Sequence, residues 1–520
     1  MAGSFVAKAA GVVWLGLGVG LFGAGTSQEP APVGGAAPQV PPNVEFRHDL
    51  RVFTVMAAVT AAGFAANRDS QRHPEVPVLV REHLAGLEWE QLEALRWAYR
   101  SHPFPDLVSQ YTAYISLALL LEDPPVLRLQ ENAPVIPEDV RAILGFERYL
   151  ADFYQKAEIL RLWEKVRPYY DAALKDYHPV MAAASRQVLD YARTPERAVL
   201  DRTMVIIPDL LGLRDVVHAR NVEGAYLVVV GPTDDPKKNL VELQHEFLHF
   251  LFDPVIEKFG GTLLKERRLL ELAEQQPELH PTFRDQFLLL VGESLVESIL
   301  LHLHPPEDRR RALAGLFRRG YILAPYISGR LDEYERDPSR RLPDFLYEVF
   351  QEVSRDQVEE DGEMVARWER ELRAEAEAAQ AATEERRRAE LARQEAIRAR
   401  NEAARRLAGG DLAGAAEMLD QVLAADPQDP VARFYLAQLR AQEGNFPAAA
   451  ELYAELAQRD DAPPWIRAWS LVRWGRFLAS QGDEEGAAAR FRAVERLPGD
   501  LKGAREAAAE SLQVLQGPRP

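Results

Sequence analysis

The chain has 520 residues, of which 47% are hydrophobic and 27% charged, enough apolar material for two or three separately packed domains. Its 80 acids against 62 bases leave a formal charge of −18, a field that repels phosphate backbones, so nucleic acid is excluded as an expected partner. The absence of cysteine excludes disulfides, thiolate metal ligands and cysteine nucleophiles.

Lys8 precedes an uncharged, largely apolar run over residues 9–25, which ends in the small residues Thr26 and Ser27. A positive start, an apolar middle and a small-residue exit read as an export signal over 1–27, with a periplasmic or secreted destination. Left uncleaved, the same segment would be an N-terminal membrane anchor, the one membrane contact expected. Residues 28–43 are rich in Pro, Gly and Ala and read as a linker. From about 44 to 200, apolar residues recur at spacings of three and four, the helical pattern. The period changes at 202–208 and 224–232, where β-branched runs bounded by Gly and Pro predict short strands. Helical spacing returns at 262–275, 282–304, 309–318 and 343–353. The expected fold is therefore mainly α with a small β-sheet, one domain spanning 44–355.

Ala, Glu and Arg dominate residues 362–408, with a poor heptad seam, and a charged helical linker is expected over 356–395. Beyond it a motif recurs. Asp411, Asn445 and Asp483 stand at offsets of 34 and 38, each followed four residues later by Ala415, Ala449 or Ala487, and then by Leu419, Tyr453 or Phe491. Small residues let paired helices approach, and the larger residue one turn on fills the same face. This period is the signature of tetratricopeptide repeats, so an α-helical solenoid binding a protein partner is expected over 396–515.

The chemistry-bearing stretch is "LVELQHEFLHFLF", residues 240–252, with His245, Glu246 and His249 in H-E-x-x-H spacing. Chance would place such a motif in this composition only about 0.04 times. On a helix the two imidazoles lie one turn apart and can share one ion, with Glu246 turned by about 100° beside it. A zinc ion needs a third protein ligand and an open position. Extension to a third histidine fails, because positions 252 and 255 are Phe and Val. Asp253 is close in sequence but followed by Pro254, and "GESLVESILLHLH" offers Glu293 and Glu297 on one helix face.

This constellation resembles the gluzincin class of zinc metallopeptidases, in which a glutamate on a second helix completes H-E-x-x-H. The resemblance implies a zincin-like α+β peptidase with Zn2+ as cofactor and a peptide or protein as substrate. It also implies that Glu293 is the third ligand, that Glu297 supports His245, and that the strand "AYLVVV" is the edge that aligns substrate. Those enzymes place the third ligand roughly 18–20 residues after the second histidine, which keeps Glu266 and Glu271 open. The arrangement over about 46–350 is also similar to a bacterial domain family of unassigned function. Glu246 is then the general base, and Tyr321 is the first candidate to stabilise the developing oxyanion, ahead of Tyr326, His302 and His304. The alternative is a non-catalytic assembly protein whose repeats do the work and whose metal site is structural or decayed.

Overall fold

The computed structural model describes residues 40–64, 72–102, 104–131, 136–195, 202–222 and 224–517. The expected export signal and residues 28–39 of the expected linker lie outside them. Among the described residues, no helix is long and apolar enough to cross a membrane. The chain divides into two compact units, Met1–Leu372 and Arg373–Pro520.

The first unit opens with strand β1 (Val44–Phe46) and helix α1 (Leu50–Ala62). Asp49 starts the helix by accepting from the Arg51 and Val52 amides, and Gly63, at φ 114°, ends it in a conformation that strains any other residue. Helices α2 (Glu75–Ala85), α3 (Leu92–Arg100), α4 (Leu107–Leu119), α5 (Glu138–Ala142) and α6 (Leu150–Lys156) follow, then the 34-residue α7 (Ile159–Ala192). The three remaining strands are β2 (Thr203–Pro208), β3 (Val217–Val222) and β4 (Ala225–Val230).

The sheet order is β1-β2-β4-β3, parallel except for the β3–β4 hairpin. Both faces are covered, which explains why its strands read as unbroken apolar runs. Val205, Ile207, Leu227 and Val229 pack into one core with α1 and α4. Met204, Ile206, Tyr226 and Val228 alternate to the other face and join a second core. That second core holds the C-terminal half of α7 with α8 (Leu240–Leu263) and α10 (Phe287–Leu303). Between these two helices lies the short α9 (Leu270–Ala273).

One expectation is overturned here. The strand 225–230 is interior, paired with β2 on one side and β3 on the other, so it presents no free edge to a substrate. The hairpin turn through Gly224, at φ 83°, folds β3 onto it. Residues Val217–Val222 supply this outer strand.

Helices α11 (Arg309–Arg318), α12 (Ala324–Arg336) and α13 (Leu342–Glu352) precede α14 (Arg355–Gly409), a single helix of 55 residues. Helix α14 runs unbroken through 355/356 and 395/396. Val358 and Val365 belong to the first unit's core, so that core extends past 355, while residues 373–395 are exposed throughout. This exposed stretch has no apolar face to bury and holds its helix through propensity and pairs such as Glu384–Arg388.

In the second unit Ala403 and Leu407 at the end of α14 pack on α15 (Leu412–Ala425). Then come α16 (Pro430–Gln442), α17 (Phe446–Gln458), α18 (Pro464–Ser480), α19 (Glu484–Glu495) and the closing α20 (Ala504–Gln516). The turns after α14, α16 and α18 share one device. Gly410, Gly444 and Gly482 adopt φ of 81°, 82° and 82°, and the following Asp411, Asn445 or Asp483 caps the next helix. Ala415, Ala449 and Ala487 are buried at the helix crossings, as are Leu419, Tyr453 and Phe491.

Candidate metal centre

Helix α8 is apolar on nearly every side, with Leu243, Phe247, Leu248, Phe250 and Phe252 all buried. Polar residues on such a helix must find partners inside the protein. Pro254 lies within it and lacks the amide that would bond the Phe250 carbonyl. Arg202 donates to that carbonyl at 2.7 Å and replaces the missing bond, so the helix continues past the proline. Asp253 is thereby held one turn beyond His249.

His245, Glu246 and His249 are 2%, 3% and 1% exposed, and Glu293, brought across by α10, is 1% exposed. His245 Nε2 lies 3.7 Å from Glu293 Oε2, and His249 Nε2 lies 3.5 Å from Glu293 Oε1. One ligand atom from each of the three residues falls within 4.8 Å of the others. The rear of each ring faces an acid. His249 Nδ1 is 3.0 Å from Asp253 Oδ1, and His245 Nδ1 is 3.8 Å from Glu297 Oε1. Both Nε2 atoms are thus turned toward the Glu293 carboxylate. His249 Nε2 and Glu293 Oε2 are buried and make no hydrogen bond, which is costly unless a cation satisfies them. Two imidazoles and a carboxylate fit zinc.

The electrostatics agree with this geometry. Burial, reinforced by His249, holds the His245 pKa well below its usual value, in the neutral form a metal ligand requires. Burial acts the same way on His249, but Asp253 and Glu293 outweigh it and push that group well above its usual value. The same carboxylates favour a metal cation at this position. Burial raises Glu246 to about 7, against the opposing pull of His249 and the Tyr226 hydroxyl. Glu297 is also raised to about 7 by burial, with Arg319 opposing.

Tyr321 is partly buried, its ring edge-on to Phe283 and under the Arg319 guanidinium. Burial and then the Glu293 and Glu297 carboxylates push its hydroxyl pKa well above the usual value. The other candidates are engaged elsewhere. Tyr326 donates to the Val349 carbonyl, and His304 meets Gln244 at 2.6 Å. His302 lies 2.6 Å from Glu335 and 3.0 Å from Ser328. With Asp332 and Glu335 it forms a second acidic group, but Arg309 already reaches both Asp332 and His302 and supplies the positive charge. Glu271 pairs with Arg355 at 2.9 Å, and neither it nor Glu266 joins the ligand group.

Two further residues serve the site. Asp253, four residues after His249, braces its ring and is not one of the three converging ligands. Tyr226 donates to Glu246 Oε2 at 2.7 Å from β4. Strand alternation groups Tyr226 with Val228, yet nothing local says which face meets α8.

Among known families, a family model described as a tetratricopeptide repeat matches residues 406–474. No curated protein and no solved structure matches the chain. The repeats in the second unit are of the kind that mediates protein–protein contacts.

Proposed function

We propose that the first unit is a zinc-dependent metallopeptidase of the gluzincin type, exported through the segment at 1–27, and that the repeats engage a protein partner or substrate. The observation that carries this reading is the convergence of His245 Nε2, His249 Nε2 and Glu293 on one buried point beside Glu246. Zinc bound there would polarise a peptide carbonyl and make water acidic enough to lose a proton near neutrality. Glu246, whose carboxyl burial has raised to about 7, takes that proton and passes it to the leaving nitrogen. Asp253 and Glu297 hold the imidazoles with their Nε2 atoms forward. Tyr321, kept protonated by its surroundings, donates to the oxyanion. In the repeats, a groove of about 550 Å³ combines Leu407, Phe446, Tyr453 and Phe477 with Arg473 and Arg476, a lining suited to a partner segment.

Metal analysis paired with peptide-library cleavage tests this. Wild type and Glu246→Gln should both carry one zinc, and only wild type should cleave. Equal cleavage by both, or no zinc in either, refutes it. The alternative is a scaffold whose repeats do the work and whose metal is structural. That reading expects zinc in both proteins and cleavage by neither.

A further inference from the structure

We propose that Tyr226 is a positioning residue for the general base: its hydroxyl anchors one oxygen of Glu246 and leaves the other to accept the substrate-side proton. This role rests on the hydrolase reading above. The geometry comes from the strand. β4 alternates, so Tyr226 leaves the sheet on the side of Val228, where α8 passes. Its hydroxyl donates to Glu246 Oε2 at 2.7 Å, and Oε1 of the same carboxylate makes no hydrogen bond among the described residues.

A glutamate terminal torsion is broad and roughly two-fold, so an untethered carboxylate would spread over many orientations. Tyr226 removes that freedom from a rigid element. Its own ring is confined, 4% exposed and packed 6.0 Å from Phe250 at 58°. Burial, then the negative charge of Glu246, keeps the phenol protonated far above neutrality, so it remains a donor at any working pH. The bond also links β4 to α8 and thereby ties the base to the sheet.

Tyr226→Phe removes the donor and keeps the ring. The expected result is a kcat lower by about 10- to 100-fold, a fraction of what a general base supplies, with KM and zinc content within twofold. An independent measurement reads the bond itself in zinc-free protein at pH 9, where the carboxylate is ionised. The infrared difference between Tyr226→Phe and wild type should contain a carboxylate feature that vanishes when both proteins also carry Glu246→Gln. An unchanged kcat in Tyr226→Phe, or no such feature, overturns the role of Tyr226 alone. Loss of zinc together with kcat marks the residue as structural and overturns it as well. A wild type without hydrolytic activity overturns the hydrolase reading, and this role falls with it.

Discussion

Removing the Glu293 carboxylate should weaken zinc binding far more than it disturbs the fold. In a tetrahedral site with bonds of about 2.0–2.1 Å, two ligand atoms lie roughly 3.3–3.4 Å apart. The observed separations from Glu293 to the two Nε2 atoms are 3.5 and 3.7 Å, a few tenths wider, which small side-chain rotations close. Four-ligand structural zinc sites are worth about 10–16 kcal/mol, so one ligand carries roughly 2.5–4 kcal/mol. At about 1.4 kcal/mol per tenfold change, Glu293→Ala should raise the zinc Kd by about 10²- to 10³-fold. Competition against a chromophoric chelator measures this, with Glu271→Ala as the control that should change nothing. The fold should persist, because the substitution relieves a buried carboxylate whose Oε2 makes no hydrogen bond. If Glu293→Ala binds zinc within about threefold of wild type, the three-ligand site is wrong, whatever the protein cleaves.

Asp253→Ala leaves all three ligands in place but frees the His249 ring, and the same titration should show zinc weakened by about 10- to 100-fold; an unchanged Kd would make Asp253 incidental. Asp209 is fully buried, and burial raises its carboxyl to about 7 although the Leu211 amide and Tyr111 hydroxyl oppose the shift. The folded state therefore favours the neutral acid, a contribution fully present below the ordinary carboxyl pKa of about 4 and lost as pH rises through 7. Urea midpoints measured at pH 5 and 8.5 should fall more for wild type than for Asp209→Asn, and parallel falls would refute this. In the repeats, a Cβ at Gly475 would stand 2.6 Å from the buried Phe491 ring. Gly475→Ala should cost about 1–3 kcal/mol, seen as hydrogen exchange in α18 and α19 faster by roughly 5- to 150-fold; exchange at the wild-type rate would mean the ring moves freely.

Local geometry made a good part of this protein legible from its sequence. A spacing of four on a helix places His245 and His249 on one face whatever surrounds them, and H-E-x-x-H is such a spacing. The repeats are equally local: a glycine at positive φ, a capping Asp or Asn, and a small residue four positions on recur within each hairpin. Tertiary structure decided the rest. Glu293 outranks Glu266 and Glu271 because α10 packs against α8 across 44 residues of chain, a choice made by the whole core. Strand 225–230 became interior because a hairpin partner with a buried Arg220 covered its free side. Tyr226 met Glu246, and Arg202 replaced the hydrogen bond lost to Pro254, through contacts spanning 20 and 48 positions. Periodicity states which residues share a face; only packing states what that face meets.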